Sequence, residues 1–222
     1  MNKPYTYLFV GYASDRAAVR YLNSLHGLVE TMRHDHPGRV EARVELATGP
    51  EHLRDLLSTE SDLLVYGGHA GVEEGSPYLG GGDESLYLDH LPDPQGTTIK
   101  AAGIVFDCCE SGTEDFIAAV GRRVDAPAAY LGCNGTAPYT HGPVLLPVLL
   151  AQLACPKEPA TPSCTTYRRA MEQTLLVAKT IWRADWERWV ITDLTPPASH
   201  GTPPFQQRSP AGPTGTAALS AG

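Results

Sequence analysis

Two hydrophobic periods alternate along the chain. Tyr5–Tyr12 (YTYLFVGY), residues 62–66 (DLLVY), residues 101–108 (AAGIVFDC) and Ala128–Cys133 (AAYLGC) are short, nearly continuous apolar runs. Such runs, rich in aromatic and β-branched residues, read as strands buried on both faces. Residues 40–46 (VEARVEL) alternate apolar and polar positions and predict a strand covered on one side. Between these runs the period changes to helical. Ala17, Val19, Leu22, Leu25, Leu28, Val29 and Met32 share a helical spacing behind Ser14 and Asp15, which can cap that helix, and it should end before Pro37 and Gly38. Pro50 opens a short helix carrying Leu53, Leu56 and Leu57. Phe116, Ile117 and Val120 predict a helix over residues 115–123 with Thr113 as cap, and further helices are expected over 143–153 and 166–189, with 190–192 as a candidate last strand.

This alternation predicts an α/β domain, a mostly parallel sheet flanked by helices in three α/β/α layers. Residues 71–82 hold five glycines (71, 75, 80, 81 and 82) and read as a loop. Residues 86–91 read as a small strand or a surface element. From Pro196 the composition turns to Pro, Ser, Gly, Thr and Ala, too poor in apolar surface to offset its ordering entropy. Residues 1–195 are therefore expected to form the folded domain and 196–222 a disordered tail.

Composition narrows the function. At 222 residues and 42% hydrophobic, the chain has the material for one core. Its net charge of −8 and lack of a long basic run argue against binding nucleic acid. No apolar stretch of about 18 residues exists, so no membrane span is expected. The opening MNKPYTYLFVGY reads as a first strand rather than a signal peptide, and a cytoplasmic protein is the expectation. The five cysteines (108, 109, 133, 155 and 164) are odd in number and include no C-x-x-C pair, which argues against a disulfide framework or a zinc knuckle. Neither phosphate-binding glycine motif occurs, so nucleotide use has no support.

The reactive side chains cluster at two strand ends. The run at 62–66 leads into Gly67-Gly68-His69-Ala70-Gly71, and the run at 101–108 into Cys109-Glu110-Ser111-Gly112. In open α/β sheets, sites form beyond the carboxyl ends of strands. If the two strands are parallel neighbours, an imidazole and a thiol converge there, and a thiol beside an imidazole can ionise to the nucleophilic thiolate.

The same residues carry a family resemblance. YGGHAG followed by VFDCCESGT resembles the caspase-like cysteine peptidases, being closest to metacaspases (YSGHGG and DCCHSG) and to the CHAT group with its A-C-E-T-G-like pattern. The resemblance implies a caspase-like fold and a cysteine endopeptidase acting on protein or peptide substrates, with neither metal nor organic cofactor. Carried across residue by residue, it implies Cys109 as nucleophile and His69 as the proton-transfer residue. The backbone N–H groups of Cys109 and Ala70 would form the oxyanion hole. Asp107 would lie in a pocket for an Arg or Lys side chain, and Cys108 would pack at the strand end. This chain departs from the commoner His-Gly in having His69-Ala70. The resemblance also implies the effector protease of a bacterial stress or phage-defence system with a separate sensor partner. If Asp107 selects basic residues, it further allows self-cleavage at Arg122–Arg123, although the helix expected over 115–123 argues against easy access there.

Plainer readings stand beside these. A strand-end cysteine is usually packing. His69 could be a loop histidine bonded to a carbonyl, and Asp107 could bond the N–H groups opening the next helix. Glu110 is expected to face solvent. Asp83, Glu84 and Asp89 could bind calcium but lack a regular ligand spacing. His34 and His36 read as solvated, and His26, His52, His90, His141 and His200 have no evident chemical setting. Trp182, Trp186 and Trp189 recur at helical spacing; if exposed, that stripe would favour the rival reading, an inactive caspase-like binding or assembly module.

Overall fold

The computed structural model describes residues 4–35, 40–80, 85–91, 98–137, 141–154, 163–181 and 186–197. Six strands form the main sheet: β1 (Tyr5–Tyr12), β2 (Val40–Ala47), β3 (Leu63–Gly67), β7 (Gly103–Asp107), β8 (Ala128–Cys133) and β9 (Trp189–Leu194), in the spatial order β2-β1-β3-β7-β8-β9. All neighbours pair parallel except β8 and β9. A smaller antiparallel sheet joins β4 (Ala70–Glu73), β5 (Ser76–Leu79) and β6 (Leu86–Tyr87).

The continuous apolar runs are explained by burial on both faces. In β1, Tyr7 and Phe9 enter one core while Leu8 and Val10 enter the other; in β3 the same division separates Leu63 and Val65 from Leu64 and Tyr66. The first core is covered by α1 (Arg16–Asp35), α4 (Gly142–Ala154) and α5 (Cys164–Ile181), the second by α2 (Pro50–Leu57), α3 (Glu114–Gly121) and the small sheet. These are the expected three layers. Local chemistry sets the helix starts: Pro50 stands at the first turn of α2, and Thr113 Oγ1 accepts from Phe116 N–H at the start of α3.

Chain direction across the sheet reverses at β1. One connection runs outward to β2, and the next crosses back to β3 and on to β7 and β8. The carboxyl ends of β1 and β3 therefore flank the switch point where such sheets open a crevice.

Two expectations are corrected. Residues 71–82 are not simply a glycine loop, because 70–79 form the β4–β5 hairpin, turning at Glu74 and Gly75 with φ of 50° and 83°. Positive φ at both central residues is the type I′ geometry, one of the two favoured in two-residue hairpins. The helix expected over 166–189 ends at Ile181. Trp186 lies in a single 3-10 turn (Trp186–Arg188) and Trp189 opens β9, both buried against His141. The exposed tryptophan stripe thus has no support from Trp186 and Trp189. Trp182, Cys155, His36, Asp83, Glu84, His200 and all of the tail beyond 197 lie outside the described residues.

Candidate active site

β3 and β7 end in register, Gly67 beside Asp107. His69 and Cys109 each follow two residues later, and both line one cleft of about 410 Å³ with Tyr21, Asp107, Ala17, Ala18 and Gly68. The small residues leave room beside the two reactive groups.

A backbone knot fixes the loop after β7. Ser111 is fully buried; its Oγ lies 2.8 Å from the Phe106 carbonyl and 2.9 Å from that of Cys108, and accepts from Cys133 N–H at 2.9 Å. Gly112 N–H donates to the Cys133 carbonyl, and the Tyr130 hydroxyl to the Ser111 carbonyl. A Cβ on Gly112 would stand 2.7 Å from the backbone nitrogen of Asn134, so a side chain has no space there. The Ser-Gly of the motif is thus a packing requirement. It turns Cys108 inward, where burial pushes its thiol well above the usual range, and leaves Cys109 partly exposed at the cleft.

Glu110 departs from expectation. It does not simply face solvent: its N–H donates to the Gly135 carbonyl and its Oε2 accepts from Val72 N–H at 2.7 Å. Its backbone is left-handed, φ 58°.

On the opposite wall, the His69 carbonyl accepts from the Tyr66 hydroxyl and from Gly80 N–H, each at 2.8 Å. Its imidazole Nε2 lies 3.7 Å from Asp15 Oδ2, with the side chain 61% exposed. Asp15 Oδ1 meanwhile caps α1, accepting from Ala17 and Ala18 N–H, both at 3.0 Å. The sequence suggested the cap; that the second oxygen would face His69 needed the fold.

Asp107 accepts from the Tyr21 hydroxyl at 2.5 Å, and burial pushes its carboxyl up to about 6 despite that bond. The carboxylate lies so close to Gly142 that a Cβ there would come within 1.8 Å of Oδ2. His141, one residue earlier, is buried, stacks on Trp186 at 4.2 Å and accepts from Trp189 Nε1 at 3.1 Å. It anchors the start of α4 beside the cleft. Neither Tyr21 nor His141 carries a sequence signal of its own, since both act through partners far along the chain.

The other candidates are ordinary. Asp89 pairs with Arg122, no group of three metal-ligating side chains occurs among the described residues, and His34 is exposed. No helix among the described residues is long and apolar enough to cross a membrane.

No protein-family model matches this chain. No curated protein matches it either. Among solved structures it is similar to a secreted C11 cysteine protease from Bacteroides thetaiotaomicron in complex with an irreversible peptide inhibitor, at 14% identity and a TM-score of 0.53, over 86% of this chain and 66% of that one. It is also similar to the complex of the pro- and mature domains of RgpB from Porphyromonas gingivalis, at 12% identity and a TM-score of 0.53, over 83% of this chain and 44% of that one. The chain thus spans under two thirds of the length of either neighbour. At these identities the likeness is one of architecture: the caspase-like fold expected from the two strand-end motifs.

Proposed function

We propose that the chain is a cysteine endopeptidase in which Cys109 is the nucleophile and His69 carries the protons. The observation behind this reading is that His69 and Cys109, each two residues beyond one register pair of parallel strands, line a single cleft. The Cys109 thiolate attacks the peptide carbonyl carbon, and the carbonyl oxygen takes the negative charge. As the tetrahedral species collapses, the C–N bond breaks and the leaving amine takes a proton from His69. Water, deprotonated by His69, then cleaves the thioester and returns the thiolate.

The oxyanion would be held by the N–H groups of Cys109 and Ala70. Among the described residues no hydrogen bond takes the Cys109 N–H. Ala70 lies opposite Leu79, two residues along the hairpin from Val72, whose N–H points out to Glu110. Alternation along a strand turns the Ala70 N–H to the same side. Asp107 supports a preference for Arg or Lys, since a guanidinium or ammonium entering the cleft meets its carboxylate. The motif resemblance extends the reading to a regulated effector of bacterial stress or phage defence, working on protein substrates under a sensor partner.

The test is iodoacetamide labelling at neutral pH with peptide mapping, on wild type and His69→Ala, followed by a screen of peptides with basic, acidic and neutral residues before the cleaved bond. Fast labelling of Cys109 that slows in the variant, with cleavage after Arg or Lys, is the expected result. Equal, slow labelling of Cys109 in both proteins would overturn the dyad.

A further inference from the structure

We infer that Glu110 is a positioning residue for the oxyanion hole, tying the hairpin that carries Ala70 to the loop that carries Cys109; the inference rests on the peptidase reading above. Glu110 follows Cys109 directly and adopts φ 58°, a conformation that residues with a Cβ avoid unless their surroundings fix it. Two bonds do so. Its N–H is held by the Gly135 carbonyl at 2.7 Å, and its Oε2 reaches across the cleft wall to Val72 N–H at 2.7 Å. A carboxylate accepting from an amide is a short, charge-assisted bond.

Strand parity gives this bond its consequence. Glu73 and Ser76 close the two-residue turn, so Val72–Pro77 and Ala70–Leu79 are the pairs whose backbone groups point away from each other. Pro77 has no N–H to offer, and its carbonyl turns outward to accept from Leu88 N–H at 2.9 Å. Val72 and Ala70 therefore present their N–H groups on the same outer edge of β4, toward the nucleophile loop. Glu110 takes one of them, and the other is left for the substrate oxyanion. Since Glu110 and Cys109 are adjacent, the bond to Val72 sets how far the Ala70 N–H stands from the Cys109 N–H. Without it the hairpin is free to drift from the loop, and one donor moves out of line while His69 and Cys109 remain.

The experiment compares Glu110→Ala and Glu110→Gln in the full chain with wild type, using four readouts. Removing one oxyanion donor typically lowers turnover by about 10²–10³; loss of alignment alone is expected to lower kcat by roughly 10–100-fold, with KM within about threefold. A peptide aldehyde, whose bound form is an oxyanion, should bind at least about tenfold more weakly to Glu110→Ala. Iodoacetamide, which forms no oxyanion, should alkylate Cys109 within about twofold of wild type. Hydrogen exchange at the Val72 amide should quicken at least about tenfold. Glu110→Gln keeps an acceptor oxygen and should recover most of the lost kcat. Unchanged kcat in Glu110→Ala, unchanged Val72 exchange, or a parallel loss of alkylation and turnover would each overturn the proposal. If wild type itself lacks His69-dependent alkylation and cleavage, the peptidase reading fails and the positioning role falls with it, while Val72 exchange still reports whether the bond forms.

Discussion

Tyr21 donates its hydroxyl to Asp107 across 2.5 Å, joining the first helix to the end of β7 at the floor of the cleft. Burial raises the Asp107 carboxyl to about 6, above the ordinary 3.8. A carboxyl raised on folding contributes no penalty below about pH 3.8, where both states are protonated, and lowers stability as pH rises through about 6. At pH 7 the penalty is up to about 3 kcal/mol, at roughly 1.4 kcal/mol per pH unit. Asp107→Asn should therefore raise the Tm at pH 7 and leave it near wild type at pH 4, as thermal melts across that range would record. The same variant should lose most cleavage after Arg or Lys. In wild type, kcat/KM for a basic substrate should rise with pH through about 6 as the carboxylate ionises; a profile unchanged in Asp107→Asn would remove Asp107 from the substrate pocket.

Asp15 serves two partners with two oxygens, which makes its roles separable. Asn is as good a helix cap as Asp, so Asp15→Asn should keep the bonds to Ala17 and Ala18 and melt close to wild type. It should still lower kcat by roughly tenfold, because the charge facing the His69 imidazole is gone; the effect is moderated by the 3.7 Å separation and the exposure of the ring. Asp15→Ala should add a loss of about 1 kcal/mol in stability. Denaturant melts beside steady-state kinetics distinguish these outcomes, and equal activity in all three proteins would exclude Asp15 from orienting the ring.

Gly112 tests the nucleophile loop without touching Cys109. A methyl group there meets the Asn134 nitrogen at 2.7 Å and the Cys133 carbonyl carbon at 2.8 Å, backbone atoms that cannot rotate away. Gly112→Ala should cost at least about 2 kcal/mol and slow Cys109 alkylation, since the Ser111 knot must shift. Calorimetry and labelling with peptide mapping would read both effects.

What was legible in the sequence is what short-range pattern encodes. The buried strands were visible because continuous apolar runs have one common use in a parallel sheet, and the two reactive residues stood out because each closes such a run on glycine or small residues. The β4–β5 hairpin was hidden by its own glycines: Gly71 lies inside β4, with the Tyr78 side chain packed over it, and only Gly75 stands in the turn. Trp186 and Trp189 happen to keep a helical spacing while lying in a 3-10 turn and a strand. Asp15, Tyr21, Glu110 and His141 were illegible as site residues, because each acts on a partner brought near only by the fold. Tyr21 and Asp107, for example, stand 86 positions apart.

Arg122–Arg123 offers the last test, because the family resemblance allows self-cleavage there, while the helix expected across it, and now the fold, oppose it. On the proposed peptidase reading, the bond to be cut must leave its own turn to reach Cys109. Here the bond sits in the turn closing α3, with Arg123 N–H donating to the Val120 carbonyl at 2.8 Å and the Arg123 carbonyl accepting from Ile99 N–H at 2.7 Å. Arg123 is buried, 7% exposed, and its guanidinium donates to the Leu91 carbonyl at 2.9 Å. Cleavage would require unfolding this turn against those bonds. The wild-type chain should therefore keep its full 23.8 kDa mass on prolonged incubation, as intact-mass spectrometry would record. Arg123→Ala removes the buried anchor and should make the turn open more often, so trypsin should cut after Arg122 at least about tenfold faster than in wild type. Fragments split at Arg122 in the untreated wild type would mean that the turn opens readily enough for cleavage.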